Sequence, residues 1–188
     1  MSIATDYLHD IAGRFRQFKT QADQAIAQAA DEDLFRVLDP DSNSIAILMR
    51  HLAGNMRSRW VGFLTTDGEK PDRRRDQEFE APPVPTRAAL LEDWESGWAC
   101  LFTELATFTP ADLERTVTAR HEPMSVVSAV NRQLAHAALH IGQIIMLAKH
   151  FKSGAWKTLT IPRGQSEQYN EEMRKKHTRS STPNSLTP

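Results

Sequence analysis

The chain has 188 residues, 23 Lys and Arg against 24 Asp and Glu for a formal net charge of -1, 40% hydrophobic and 25% charged residues, and a single cysteine. That length and balance suit one globular domain and exclude an intrinsically disordered chain, while near-neutral charge supplies no long-range field to gather nucleic acid or acidic membranes. The lone Cys100 excludes an intramolecular disulfide, no run of about 18 apolar residues exists to span a bilayer, and a start bearing Asp6, His9 and Asp10 does not read as a secretion signal, so a cytoplasmic location is expected.

From Ile3 to about Ala30, Ile3, Tyr7, Leu8, Ile11, Phe15 and Phe18 recur at helical spacing and predict a first helix. Asp31 to Pro40 reads as a connection that packs Leu34, Phe35, Val37 and Leu38 on the core. Asp41, Ser42 and Asn43 are start signals for a second helix from about Ser44 to Leu64, weakened locally by Gly54 and Gly62. Thr65 to Pro85 is long, polar and rich in proline, and is predicted to be a crossover. A third helix starts near Thr86 and turns Leu90, Leu91, Trp94, Trp98, Leu101, Phe102 and Leu105 to one side.

Thr116-Val117-Thr118 alternates like a short extended arm. The fourth helix is expected from about Ser125 to Phe151, largely enclosed, with Val127, Val130, Leu134, Ala138, Ile141, Ile145 and Ala148 on one stripe and Gly154 taking a left-handed C-terminal conformation. Polar sequence follows Ser166, and Lys175 to Pro188 favours disorder, so the chain divides into a domain over 1–170 and a flexible tail over 171–188. Four helices with one long crossover between the second and third predict an all-helical four-helix bundle, a fold that builds its sites from side chains facing inward.

His136 and His140 lie four residues apart, which stacks their imidazoles on one helical face, close enough to share one metal. Such a pair also occurs on helix surfaces without any ligand. His51, in the apolar stretch Ile47 to Gly54 of the second helix, adds a third imidazole beside the apolar stripe; alone, it reads as a partly exposed histidine bonded to a carbonyl. Three histidines with no fourth protein ligand leave coordination positions open, the catalytic rather than the structural arrangement. Asn55 and Arg59, one and two turns beyond His51, are candidates for orienting a bound group, or else solvated surface residues. His9, His121, His150 and His177 read as solvated, Cys100 as a structural thiol, and Arg73-Arg74-Arg75 among acidic neighbours as a charge-balanced loop. Trp60 and Trp156 are the tryptophans expected at a pocket or interface.

Ser44 to Asn55 with Arg57-Ser58-Arg59-Trp60, Asp67 to Arg73, His136-Ala137-Ala138-Leu139-His140-Ile141-Gly142-Gln143-Ile144 and Ile161 to Ser166 together resemble the DinB/YfiT-like metalloenzymes, most closely one of their uncharacterised branches. The likeness runs from the first helix to about Tyr169. It implies a four-helix bundle, often a homodimer, with a three-histidine site for zinc, nickel or a similar divalent ion, carried by His51, His136 and His140. Characterised relatives include metal-dependent transferases and isomerases that use low-molecular-weight thiols, so the resemblance implies thiol-dependent chemistry on a small-molecule substrate. A hydrolase using water, or a non-catalytic dimeric module of stress response that binds metal or a small ligand, are the alternatives; nucleic-acid binding is disfavoured by charge.

Overall fold

Each of the four long helices begins on a hydroxyl that accepts a hydrogen bond from a free amide of the first turn. Ser2 caps α1 (Ile3–Gln28), Ser44 caps α2 (Ile45–Trp60), Thr86 caps α3 (Arg87–Leu105) and Ser125 caps α4 (Val126–Lys152). A cap of this kind is worth about 1 kcal/mol. The computed structural model describes residues 2–180, which are mostly helical (66%) with one small two-stranded sheet. Two compact units are present, residues 1–155 and 156–188. None of the described helices is long and apolar enough to cross a membrane.

In the first unit α2 packs on α3 and on α4, and α1 packs on α4 and α3. No residue of α2 is exposed, so this helix, and not α4, is the enclosed one. The expected enclosure of the fourth helix needs correction. Its buried face runs through Val126, Val130, Gln133, Ala137, Ile141, Ile144 and Ala148, while Leu139 (61% exposed) and Met146 (51%) stand outside. Apolar content all round a helix therefore does not imply burial all round it.

The core centres on aromatic residues from three helices. Phe15 of α1 meets the rings of Trp60 and Trp98 edge-on at 5.9 and 6.5 Å, and Trp94 meets Trp98 at 5.5 Å. Edge-to-face contact suits the charge distribution of aromatic rings. The α2 and α3 backbones touch at Gly97, where an added Cβ would lie 2.5 Å from the Ala53 Cα. Trp94 also donates to Asp23 of α1 at 2.8 Å, which ties α3 to α1.

α2 ends at Trp60, four residues before the expected end, because Gly62 takes a φ of 61° and its carbonyl accepts from Thr65 and Thr66. The long connection to α3 then runs back along α2, contains a 3-10 turn at Arg75–Phe79, and packs that turn on α2. Ser58 stitches it to α2, donating to the Gly68 carbonyl at 2.9 Å and accepting from the Lys70 amide at 3.1 Å.

Thr116–Ala119 (β1) and Glu122–Ser125 (β2) form an antiparallel hairpin with Thr116 opposite Ser125 and Val117 opposite Met124. Its two-residue turn places Arg120 and His121 at φ of 56° and 64°. Those values match the tight hairpin turn that usually takes Asn and Gly. Asp67 holds this turn by accepting from the amides of Arg120 and His121, both at 2.9 Å.

At the end of α4 the left-handed residue is Ser153 (φ 50°), not the expected Gly154. The second unit contains α5 (Ser166–Ser180), a polar helix with nearly every described side chain exposed. Helix thus extends across the 170/171 boundary and over residues 175–180, where composition pointed to disorder. Residues 181–188 of the expected flexible tail lie outside the described residues.

Candidate metal centre

The enclosure of α2 carries His51 inward, where it is only 4% exposed, and the packing of α2 on α4 sets it against the imidazole pair of that helix. The Nε2 atoms of His51 and His136 are 3.0 Å apart. Ring centroids are separated by 5.0 Å for His51 to His136, 5.0 Å for His51 to His140 and 4.7 Å for His136 to His140. One ring nitrogen from each of the three histidines lies within 4.8 Å of the others, so the cluster could hold a metal ion. His9, His121, His150 and His177 are not among them.

The hydrogen bonds on the far side of two rings fix which nitrogen is free. His51 Nδ1–H donates to Glu78 Oε2 at 2.8 Å, and His140 Nδ1–H donates to Gln143 Oε1 at 2.8 Å. Both leave an Nε2 lone pair free, and that of His51 faces His136 Nε2. Such outer partners orient ligand imidazoles and raise their basicity. His136 differs, since its Nδ1 is buried with no partner in the protein.

Protonation also favours a metal. Burial, reinforced by the neighbouring His140 and His51, pushes His136 down to about 3. Burial lowers His140 as well, with the Gln143 bond working the other way and His51 adding to the drop. Neutral imidazole is the ligating form. Two nitrogens bound to one tetrahedral zinc at about 2.0–2.1 Å would stand about 3.3 Å apart, close to the separation of the His51 and His136 Nε2 atoms. The residues present therefore fit a divalent ion.

Glu78 reaches His51 from the 3-10 turn of the connection, and it does so only because residue 54 is glycine. A Cβ at Gly54 would overlap the Glu78 Oε1, well inside van der Waals contact. Arg73 grips the same carboxylate with two parallel bonds of 2.9 Å from Nε and Nη2. Burial alone would raise the Glu78 carboxyl, but the bonds from His51 and Arg73 prevail and hold it below the ordinary carboxylate range. Arg73 is balanced by Glu78 and Glu69, as expected of a charge-balanced loop, but its side chain is only 5% exposed. Buried guanidinium and buried carboxylate stabilise each other where neither would tolerate burial alone.

Beside the imidazoles lies a cavity of about 190 Å³, walled by α2, α4 and the β1–β2 hairpin. Asn55 and Arg59, the two residues singled out one and two turns past His51, both line it, as do Trp60 and Gln133. Neither is solvated helix surface: Asn55 is buried and Arg59 is 16% exposed in its side chain. Arg59 donates to Glu69 at 3.0 Å, and Arg120 donates to the same carboxylate at 3.1 Å. Cys100 is half-buried on α3 and outside both the cavity and the histidine cluster. Trp156 belongs to the second unit.

Glu78, Arg73, Gln133 and Gln143 were not legible as site residues. Gln143 had a usable signal, because a side-chain amide three residues after His140 lies on the same helical face. Glu78 had none, since it lies 27 positions along the chain from the ring it orients, beyond the end of α2.

Comparison with known proteins adds one assignment. No curated protein and no solved structure matches the chain. A family model does, over residues 2–165, which takes in all four long helices, the hairpin and the three clustered histidines. The chain belongs to the family described as Protein of unknown function (DUF1572).

Proposed function

We propose that the protein is a divalent-metal-dependent enzyme of DinB-like type, a four-helix bundle of α1 to α4 whose ligands are His51, His136 and His140. The single observation that carries the reading is the convergence of three imidazoles from two helices, two of them held on the far side by Glu78 and Gln143, next to a cavity. A purely structural site would close its coordination with a fourth protein ligand, and none of the described His, Cys, Asp or Glu residues joins these three. Zinc or nickel suits an all-imidazole set.

A divalent ion there supplies a Lewis acid that lowers the pKa of a thiol or water brought to it. The chain's own residues do the rest. Glu78 and Gln143 keep the imidazoles of His51 and His140 in one tautomer and orientation. Phe79, tilted against His51 at 4.6 Å between centroids, and the hairpin wall limit water around the cluster. The family resemblance favours a low-molecular-weight thiol over water as the nucleophile, hence thiol transfer to an electrophilic small molecule. A homodimer would use the exposed face of α4 that carries Leu139 and Met146.

Untagged protein should take up one equivalent of zinc or nickel per chain, read by elemental analysis, and His140→Ala should not. Turnover of a thiol with an electrophile, compared between the metal-loaded protein and His140→Ala, tests catalysis; equal rates would remove it. Metal-dependent stability without turnover would leave the non-catalytic module.

A further inference from the structure

Five side-chain atoms are buried without a protein partner in residues that line one and the same cavity. They are Asn55 Oδ1, Arg59 Nη1, Trp60 Nε1, Gln133 Nε2 and His136 Nδ1. One further such atom, Trp98 Nε1, belongs to a residue outside that lining. Random packing faults would scatter through the core; polar groups stripped of water around a single void call for a ligand with matching groups.

The charge at this cavity has one sign. Arg59, Arg73, Arg75, Arg120 and Arg132 line it, and no Asp or Glu does. Glu69 answers from behind, but three guanidiniums share it: Arg59 at 3.0 Å, Arg120 at 3.1 Å and Arg73 at 3.5 Å. Burial lowers the Arg59 pKa first; Glu69 works against that drop, and Arg73, Arg120 and Arg132 add to it.

We propose that the cavity binds a small organic carboxylate, its acid group held by Arg59 Nη1 with the N–H donors of Gln133 and Trp60, and a hydroxyl or N–H of the same ligand donating to Asn55 Oδ1. One buried free guanidinium nitrogen and two neutral donors suit a monoanion. A phosphate dianion would want a second guanidinium buried and free at the same point, whereas Arg73 is committed through Nε and Nη2 to Glu78 and through Nη1 to Glu69, and Arg75, Arg120 and Arg132 stand exposed at the rim. His136, which lines the same cavity, places the imidazole cluster at the ligand's other end. That placement makes the carboxylate a substrate and rests on the metal reading; the acid-binding pocket itself stands on Arg59 and its neighbours.

The test is calorimetric titration and thermal shift on the full chain, in chelator-treated and zinc-loaded forms. The probes are lactate, succinate and benzoate, their amides, and inorganic phosphate. At least one carboxylate should bind saturably to both forms, and its amide at least tenfold more weakly. Arg59→Gln should weaken that binding at least tenfold, while Arg14→Gln, an exposed arginine of α1 paired with Asp10, should leave it unchanged. Gln133→Glu puts a carboxylate among the donors and should abolish binding, which keeps the idea testable if Arg59→Gln does not fold. No carboxylate binding, equal binding of acid and amide, a preference for phosphate, or wild-type affinity in Gln133→Glu would each overturn the proposal. Carboxylate binding to a protein that takes up neither zinc nor nickel would support the pocket and remove the metal reading; uptake of either ion without carboxylate binding would do the reverse.

Discussion

Gly54→Ala tests whether Glu78 governs the histidine cluster. The new Cβ would overlap the Glu78 carboxylate, lying 2.8 Å from its Cδ and closer still to Oε1. Ordinary contact requires the carboxylate to retreat by about 1 Å, which disturbs its 2.8 Å bond from His51 Nδ1 and lengthens it by up to about that amount, past the usual hydrogen-bond range. The retreat is resisted, because Arg73 grips both carboxylate oxygens.

Loss of an outer partner of a ligand imidazole costs about 10- to 100-fold in metal affinity, or about 1.4–2.7 kcal/mol. The metal-free fold should suffer less, since alanine gains about 1 kcal/mol over glycine inside a helix. Competition titration of zinc against a chromogenic chelator, with urea unfolding of the chelated protein alongside, separates the two effects. Glu78→Gln, which keeps the shape and removes the charge, should weaken zinc in the same direction. Wild-type zinc affinity in both variants would refute the role given to Glu78.

Gly97→Ala should lower the urea-unfolding free energy by about 2 kcal/mol, because the added Cβ meets the Ala53 backbone, which cannot swing aside; an unchanged midpoint would contradict the close approach of α2 and α3. His121→Gly should raise stability by about 0.5–1 kcal/mol, read as a higher Tm, since the exposed side chain sits at a φ of 64° that costs an L-residue more than glycine. The chelator-treated protein should lose stability as pH falls from 7 to 5. Over that range the unfolded chain protonates His136 near its ordinary 6.5 while the folded chain, with this group pushed down to about 3, does not. His136→Leu should flatten that slope in Tm against pH, and an unchanged slope would count against the burial of a neutral imidazole.

Much of this molecule is written in local patterns. The second helix is capped by Ser44, just past the expected Asp41, Ser42 and Asn43, but the cap at Thr86, the i, i+4 pair of His136 and His140, and the extended Thr116 segment are all readable within a few residues. Rotation about a helix axis is not. The stripe assigned to α4 shares Val130, Ile141 and Ala148 with the buried face but is rotated slightly from it, because an apolar set wider than one stripe allows several rotations and the neighbouring helices choose among them. The same limit explains Arg73 and Glu78. Within the connection they read as one more pair of opposite charges, and only the return of that segment along α2 buries them under His51. Gly54 read as a weak point in a helix, whereas its missing side chain is the space that a carboxylate occupies.

The bond from His51 to Glu78 joins an enclosed helix to a segment that has little other regular structure. Charge withdrawn from the imidazole by a cation makes its Nδ1–H a stronger donor, so occupancy of the cluster tightens the strap that runs between α2 and α3. Protease cleavage between residues 65 and 85 should consequently slow when zinc is added, and this protection should vanish in Glu78→Gln, making the connection a reporter of what the imidazoles hold.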